Sequence, residues 1–584
     1  MPPAVDALIA NRESATQHRW RNLPGLSFFP PLTLLLLLGP VLAGLFGTLL
    51  PAFGYLPALG SNEPSLLPWR QLFTAPGLCY SVWLSFSTGL LATAVSLAVV
   101  IGFCAGWHGT RLFARLQRLL SPLLAVPHVT VAFGLAFLLT PSGWIMRLLS
   151  PWATDFARPP DLITIQDPYG LSLVLSLVVK EIPFLLLMTL AALNQVDAAR
   201  IRTVARTLGY GPITAWLKAV LPSVYPQLRL PIFAVLAYSA SVVDVALVMG
   251  PTTPPPLAVQ LLRWFNDPDL NLRFVASAGA LLQLLLVAGV ISLWCALEQL
   301  VKWLGLGWIR RGRRAQQDRG FRYSAAVLLL SCSALTIIGL IGMGVWSLAD
   351  FWRYPDALPA SFSLSNWQRH SEDLIQPIWN TVATALSAAL IALVLTLGCL
   401  EHEAHFGRRP SNRALWLLYL PLLVPQVAFL FGAQILLVVT DMDGLWLALL
   451  WSHLVFVLPY VFLSLSDPYR AWDERYGRTA LCLGASPLRV WLTIKLPMLF
   501  RPILIALAVG FAVSVGQYLP TLFAGGGRFP TLTTEAVALS TGGDRRVIGV
   551  YALLQMLAPF VMFSLALLLP SWLFRHRRGL QVSQ

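Results

Sequence analysis

The polar chemistry of this chain sits in a few side chains inside long apolar stretches: Lys180 and Glu181, then Asp244, Gln517 and His453. An ionisable group at mid-bilayer costs at least ~2.5–3.5 kcal/mol, so it is expected to face a cavity or a partner. Lys180 and Glu181 are neighbours, about 100° apart on a helix, and so are expected to find separate partners. Asp244 and Gln517 fall at similar depth in two corresponding stretches. These four are the candidates for facing a central cavity; the competing reading of Asp244 and Gln517 is a structural contact between helices. His453 is expected to be packed and hydrogen-bonded. His402-Glu403-Ala404-His405 places two imidazoles at i, i+3, but it lacks the HExxH spacing and reads as a solvated helix end. No metal site is expected. Neither a Gly-x-Ser-x-Gly elbow nor a pair of clustered carboxylates is present, so no catalytic residues are expected. A P-loop is missing too. Lys180, Lys218, Lys302 and Lys495 follow Val, Leu, Val and Ile, and none belongs to a Gly-Lys-Ser/Thr motif.

The elements that must carry these residues follow from composition. Of 584 residues 57% are hydrophobic and 11% charged, and the mean hydropathy is +0.70. Soluble, disordered, fibrous and disulfide-stapled classes are excluded. An all-α polytopic membrane protein remains. Charge-free windows long enough to span a bilayer run over 22–62, 71–110, 119–146, 274–297, 323–349, 374–400, 414–440, 444–466, 502–527 and 547–574. The windows 168–196 and 230–262 are apolar but hold Lys180, Glu181 and Asp244, which makes twelve predicted spans. The first resembles a signal peptide's start, but Leu26 to Leu56 is longer than an h-region and predicts a retained helix. With both termini cytoplasmic, about three-quarters of the Lys and Arg residues fall inside, as the positive-inside rule requires. Basic runs such as Arg310-Arg311-Gly312-Arg313-Arg314 then read as topology anchors at the lipid surface, not as nucleic-acid contacts. The six cysteines form no CxxC.

Six predicted spans lie on each side of the basic 302–322 connector, and a repeat is present. At an offset of 275, Ala205/Ala480, Leu208/Leu483, Gly209/Gly484, Pro212/Pro487, Trp216/Trp491, Leu217/Leu492, Leu221/Leu496 and Pro222/Pro497 are identical. An even number of spans per copy makes the repeat parallel. The halves are 1–305 (core 80–300) and 306–584 (core 376–574). Each repeated loop predicts a helix (196–208 or 471–483) stopped at Gly209 or Gly484, then Gly211 or Ser486 at N-cap and Pro212 or Pro487 at N1. A second helix with Trp216, Leu217, Val220 and Leu221 on one face would be stopped by the Leu-Pro pair. Its apolar face is expected to protrude toward a cytosolic partner; the alternative is packing on the protein's own spans.

The pattern Ala, three residues, Gly, nine residues, Ile/Ala-x-Leu-Pro resembles the EAA loop of ABC-importer permeases. The copies are Ala205, Gly209, Ala219, Leu221-Pro222 and Ala480, Gly484, Ile494, Leu496-Pro497. The family's leading Glu is replaced by Thr203 and Arg478. The fused double permease is similar to ferric-iron, thiamine and YnjC-type permeases. The resemblance implies a MetI-like fold of twelve helices as 6+6, with spans 1 and 7 flanking two five-helix cores. It implies an inner (plasma) membrane location and a transport role without catalysis, with Lys180, Glu181, Asp244 and Gln517 as the candidates for lining the translocation path. It further implies two copies of a cytoplasmic ATP-binding subunit that carries the ATP, none being bound here, and a periplasmic or extracellular substrate-binding protein. The alternative is an ion-gradient-driven secondary transporter with duplicated halves, which predicts no special similarity in these loops.

Overall fold

A computed structural model describes residues 24–312, 314, 319–407 and 412–575. Among them ten helices are long and apolar enough to cross a bilayer. Two further pairs, Trp416–Leu423 with Gln426–Val439 and Pro487–Met498 with Phe500–Val515, bend by 88° and 72° at their breaks. The fold is an all-α polytopic membrane protein.

The principal helices are α1 Phe29–Ala52, α2 Leu78–Trp107, α3 His128–Leu139, α4 Leu171–Asn194, α5 Leu221–Ser241 and α6 Leu272–Arg310. They are followed by α7 Arg319–Leu348, α8 Ser371–Phe406, α9 Gln426–Val439, α10 Trp446–Arg470, α11 Phe500–Val515 and α12 Arg545–Leu573. Local signals set their ends. Gly170 takes a left-handed φ of 70° before α4, and the Asp167 carboxylate accepts from the amides of Leu171 and Ser172, both at 2.8 Å. At 39 residues α6 is roughly 58 Å long, nearly twice a bilayer core of about 30 Å.

The leading helices do not flank their own neighbours. α1 packs on α8, α9 and α10, and α7 packs on α2, α3 and α12, so each crosses to the other set of helices. Both crossings use glycine. Gly44 and Gly47 of α1 meet Gly432 of α9, where a Cβ would fall on the facing backbone. Gly134 of α3 meets Gly339 of α7, where a Cβ would lie 2.9–3.0 Å from the opposite carbonyl carbon. Backbones can approach this closely only without side chains between them. The Gly432 amide donates to Thr48 Oγ1 at 2.9 Å. Indole donors fasten the same crossings, Trp451 Nε1 to the Leu36 carbonyl at 3.1 Å and Trp107 Nε1 to the Arg322 carbonyl at 3.0 Å.

The two predicted spans that hold Asp244 and Gln517 are discontinuous. The window 230–262 resolves into the end of α5, a break at Val242–Val243, and short helices Asp244–Met249 and Leu257–Phe265. Asp244 therefore opens a separate helix instead of lying within span 5. The window 502–527 breaks likewise after Val515, with Leu519–Gly525 beyond. On the face away from the repeated loops, Arg147 joins the two sets of helices. It donates to the Arg353 carbonyl at 2.8 Å and lies over the Trp352 ring at 4.8 Å.

Valine at Gly432 must push α1 and α9 apart, because what it meets is backbone. We expect Gly432→Val to destabilise the purified protein by at least about 3 kcal/mol. Gly289→Val, where a Cβ meets nothing within 4 Å, should leave thermal unfolding unchanged; equal midpoints for the two variants would contradict the crossing.

Candidate functional site

The two repeated loops have one backbone design. The helix Ala198–Thr207 is capped by Asp197, and Glu474–Cys482 by Asp473. Gly209 and Gly484 then turn the chain at φ 85° and 86°, a region open to glycine at little cost. Pro212 and Pro487 begin the next turn, which widens into a π-helix at Trp216–Val220 and Trp491–Lys495. The amides of Leu221 and Leu496 close these wide turns on the carbonyls of Trp216 and Trp491. Leu-Pro does not stop the helix: in the first loop it continues directly into α5, and in the second it reaches Met498 before the bend into α11. Pro222 and Pro497 lack an N–H and would clash with the carbonyl four residues back. A π turn moves that carbonyl aside while keeping the chain helical.

The surroundings of the two loops differ. In the first, Trp216 and Val220 are fully buried, Ala205 is buried, and Leu217 and Leu221 are half-buried. This face lies on the protein itself; the exposed apolar groups are Val204 and Leu208 instead. The end of α6 covers the loop: Lys218 Nζ donates to the Trp308 carbonyl at 3.2 Å, and the Gly211 amide donates to that of Arg314 at 3.0 Å. In the second loop Leu483, Leu488 and Leu492 are 83%, 65% and 50% exposed. Trp491, Ile494, Leu496 and Ala480 are half-buried, and a Cβ at Gly484 would meet nothing within 4 Å. Thr203 and Arg478 are both exposed, and Arg478 pairs with Glu474 at 2.9 Å.

A buried ion pair anchors the second loop. Lys495 Nζ lies 2.7 Å from Glu401 on α8 and 4.1 Å from the Tyr469 ring centre. Tyr469 on α10 donates to the same carboxylate and accepts from Trp491 Nε1 at 3.2 Å. Nearby, Glu403 is bound by Arg470 at 2.9 and 3.0 Å, while His402 and His405 stack with Phe406.

In the core of the helices the polar residues are sorted by direction. Lys180 turns to the carbonyls of Leu123 and Leu124, at 3.1 and 3.3 Å. Glu181 reaches the other way, to His128 Nε2 at 3.2 Å. The His128 ring is 4.7 Å from that of Tyr238. Asp244 is within electrostatic reach of His128, and the hydroxyls of Tyr238 and Tyr518 within reach of Asp244. Tyr460 lies within reach of Glu181. Gln517 sits half-buried in the break, beside Tyr518. The group gathers His128, Glu181, Tyr238 and Asp244 from the N-terminal helices with Tyr460 and Tyr518 from the C-terminal ones.

Both breaks are pinned by side chains. Ala240 and Val515 are equivalent at the 275-residue offset, and each lies at the last turn before a break. Gln283 on α6 donates to the Ala240 carbonyl at 2.9 Å. Gln555, at the corresponding place on α12, donates to Thr533 at 2.7 Å, and Thr533 donates to the Val515 carbonyl at 2.5 Å. Thr130 donates to Gln555 Oε1 at 2.9 Å from the N-terminal helices. His453 bridges the second break, bonding Ser514 at 2.8 Å before it and Thr521 at 2.9 Å after it.

These features can be set beside known proteins. The "Inner membrane ABC transporter permease protein YnjC" of Escherichia coli K12 is 35% identical over 551 residues, covering 94% of this chain and 98% of the relative. The chain belongs to the ABC transporter permease family. The "Thiamine transport system permease protein ThiP" of Salmonella typhimurium is 24% identical over 545 residues, 89% of this chain and 94% of that one. The "Spermidine/putrescine transport system permease protein PotC" of Haemophilus influenzae is 24% identical over 221 residues, 37% of this chain and 82% of that one. No family model matches the chain.

Several of this permease's core residues escape a reading of its sequence. Tyr238, Tyr460 and Tyr518 share no spacing, because they come from different helices. Gln283 and Gln555 carry a signal that could have found them, as isolated glutamines at matching depth in otherwise apolar spans. Lys495→Met would leave Glu401 buried without its cation, and the expected cost is about 3 kcal/mol. Lys495→Met/Glu401→Met should recover most of that loss in the permease's unfolding midpoint; a double variant as weak as the single one would refute the pairing.

Proposed function

We propose that this permease forms the translocation pathway of an ATP-driven importer and is coupled to separate ATPase subunits through loops 196–222 and 471–497. The observation that carries the reading is the repeated loop itself: an Asp-capped helix in each copy, then a left-handed glycine, a proline and a π turn at identical spacing. Its residues, Ala205, Gly209, Pro212, Trp216, Leu217, Leu221 and Pro222 with their partners Ala480 to Pro497, shape a short helix on one face of the molecule. Leu483, Leu488 and Leu492 give that helix an apolar docking edge. The chain has no P-loop, so ATP is bound and hydrolysed on the partner, and two loops call for two ATPase copies.

The halves are 1–305 and 306–584. The Lys and Arg distribution supports cytoplasmic loops and termini, leaving the opposite face to receive solute from a soluble binding protein. A push on the second loop reaches α8 and α10 through the Lys495–Glu401–Tyr469 contact. Because the π turn of the first loop runs straight into α5, movement there is carried along a continuous helix toward Asp244. In the second copy the bend before α11 leads toward Gln517. The switch between inward- and outward-facing states is thereby tied to the breaks in the path. The relatives' names cover thiamine, spermidine and putrescine and do not by themselves select a solute.

The test is gentle purification of the tagged chain from its native membranes with an assay for vanadate-sensitive ATPase activity. Wild type should carry the activity. Leu483→Asp changes only an exposed side chain and should lower the co-purifying activity by at least tenfold (roughly 1.4 kcal/mol of binding). Gly484→Asp should do the same through backbone strain. A folded wild-type chain without ATPase activity would overturn the importer reading, and a proton- or sodium-gradient uptake assay would follow.

A further inference from the structure

Building on the reading that the core lines the translocation path, we infer that the path takes an organic cation. The argument begins with where the protein's own cations point. Lys180, the one basic side chain midway along α4, holds the carbonyls of Leu123 and Leu124 at the end of the turn Ser121–Ala125. Unpaired carbonyls at a helix end carry negative partial charge, and Lys180 neutralises them. Lys495 is taken by Glu401. Arg147 and Arg545 are bound to Ser142 and lie over the Trp346 ring at 5.4 Å. None of these charges is offered to the path.

What the path does present is acidic and aromatic. Glu181 is 3% exposed, and His128 occupies one of its oxygens. Among the described residues no cation lies within 4 Å of the Asp244 carboxylate, which is half-buried. Around the two carboxylates stand Tyr238, Tyr460 and Tyr518, all half-buried and drawn from both sets of helices. Carboxylates in a low-dielectric wall attract a cation, and the faces of aromatic rings attract it again.

The alternatives fit less well. An anion would meet two carboxylates and no free base. A neutral polyol would leave Asp244 desolvated without a counter-charge, which is costly. A bare metal ion needs several converging ligands, and among the described residues no three His, Cys, Asp or Glu side chains come together to hold one. The duplication sharpens the point. The second copy has no acidic residue at the equivalent places, Val457 for Glu181 (the helices ahead of the loops align through Pro183 and Pro459) and Leu519 for Asp244, so the acidic groups belong to one copy and Tyr460 and Tyr518 to the other. The site exists only where the halves face each other.

The charge preference of the path can be read without knowing the solute. In the full permease with its co-purifying ATPase in nanodiscs, Gln517→Cys supplies a thiol beside Tyr518, and Tyr518→Cys is a second reporter. Each is treated with a trimethylammonium or a sulfonate methanethiosulfonate, and modification at the reporter is followed by peptide mass spectrometry, with exposed Cys79, away from the repeated loops, as the reference for reagent activity. The cationic reagent should be favoured roughly tenfold beyond its ratio on a free thiol. Adding Asp244→Asn and Glu181→Gln should return the ratio to the free-thiol value. A ratio at or below that value, a ratio that survives the double replacement, or no modification at either reporter would overturn the proposal. Vanadate-sensitive ATPase activity in the same sample separates the two claims. If it persists while the cation preference is absent, the solute class is wrong and the importer stands; if it is absent, the importer reading fails.

Discussion

Lipid offers no hydrogen bonds, so a helix that breaks inside a membrane exposes amides and carbonyls that protein must satisfy. This constraint organises the permease. The spans that break ahead of Asp244 and Gln517 each end in a last turn whose carbonyl is met by a side chain, from Gln283 at Ala240 and through Gln555 and Thr533 at Val515. The end of the turn Ser121–Ala125 is met by Lys180. His453 closes the second break from both sides. Once the breaks are secured, Asp244, Gln517 and Tyr518 can sit at chain ends pointing inward, where a continuous helix would carry them past on its surface.

The same pins show how the two copies have diverged. Ser239 is the counterpart of Ser514; Ser514 is bonded by His453, whereas the Ser239 hydroxyl is buried with no partner among the described residues. Ala258 stands in place of Thr533, so Gln283 reaches its carbonyl directly, and its own Oε1 is left unpaired there. A buried polar atom without a partner costs about 1–3 kcal/mol. The first copy therefore has the weaker fastening, and it is also the copy that carries Glu181 and Asp244. The loops diverge in the opposite sense. The first is packed beneath the end of α6, and the second is anchored through Lys495 but keeps its leucines exposed.

Crossing of the leading helices ties the N-terminal and C-terminal helices together. α1 packs mainly on the C-terminal helices while keeping contact with α6, and α7 mainly on the N-terminal ones while keeping contact with α12. Glycines at both crossings let backbones touch, which gains dispersion contacts where no hydrophobic effect acts between helices.

Sequence alone determined the class, the approximate spans, the repeat and the glycine turns of both loops. Those properties are local: hydropathy over some twenty residues, a left-handed position that glycine occupies at little cost, a proline without an N–H. Tertiary structure alone decided which way Lys180 and Glu181 point, that Asp244 starts a helix of its own, that Trp216 is buried while Leu492 is not, and that α1 and α7 change sides. Each of these turns on what lies opposite a residue, and the residues opposite come from segments distant in the chain. Leu221-Pro222 illustrates the boundary. Proline marks a place where an α-helix cannot continue unchanged, and only the observed packing shows that the chain answers with a wide turn and goes on.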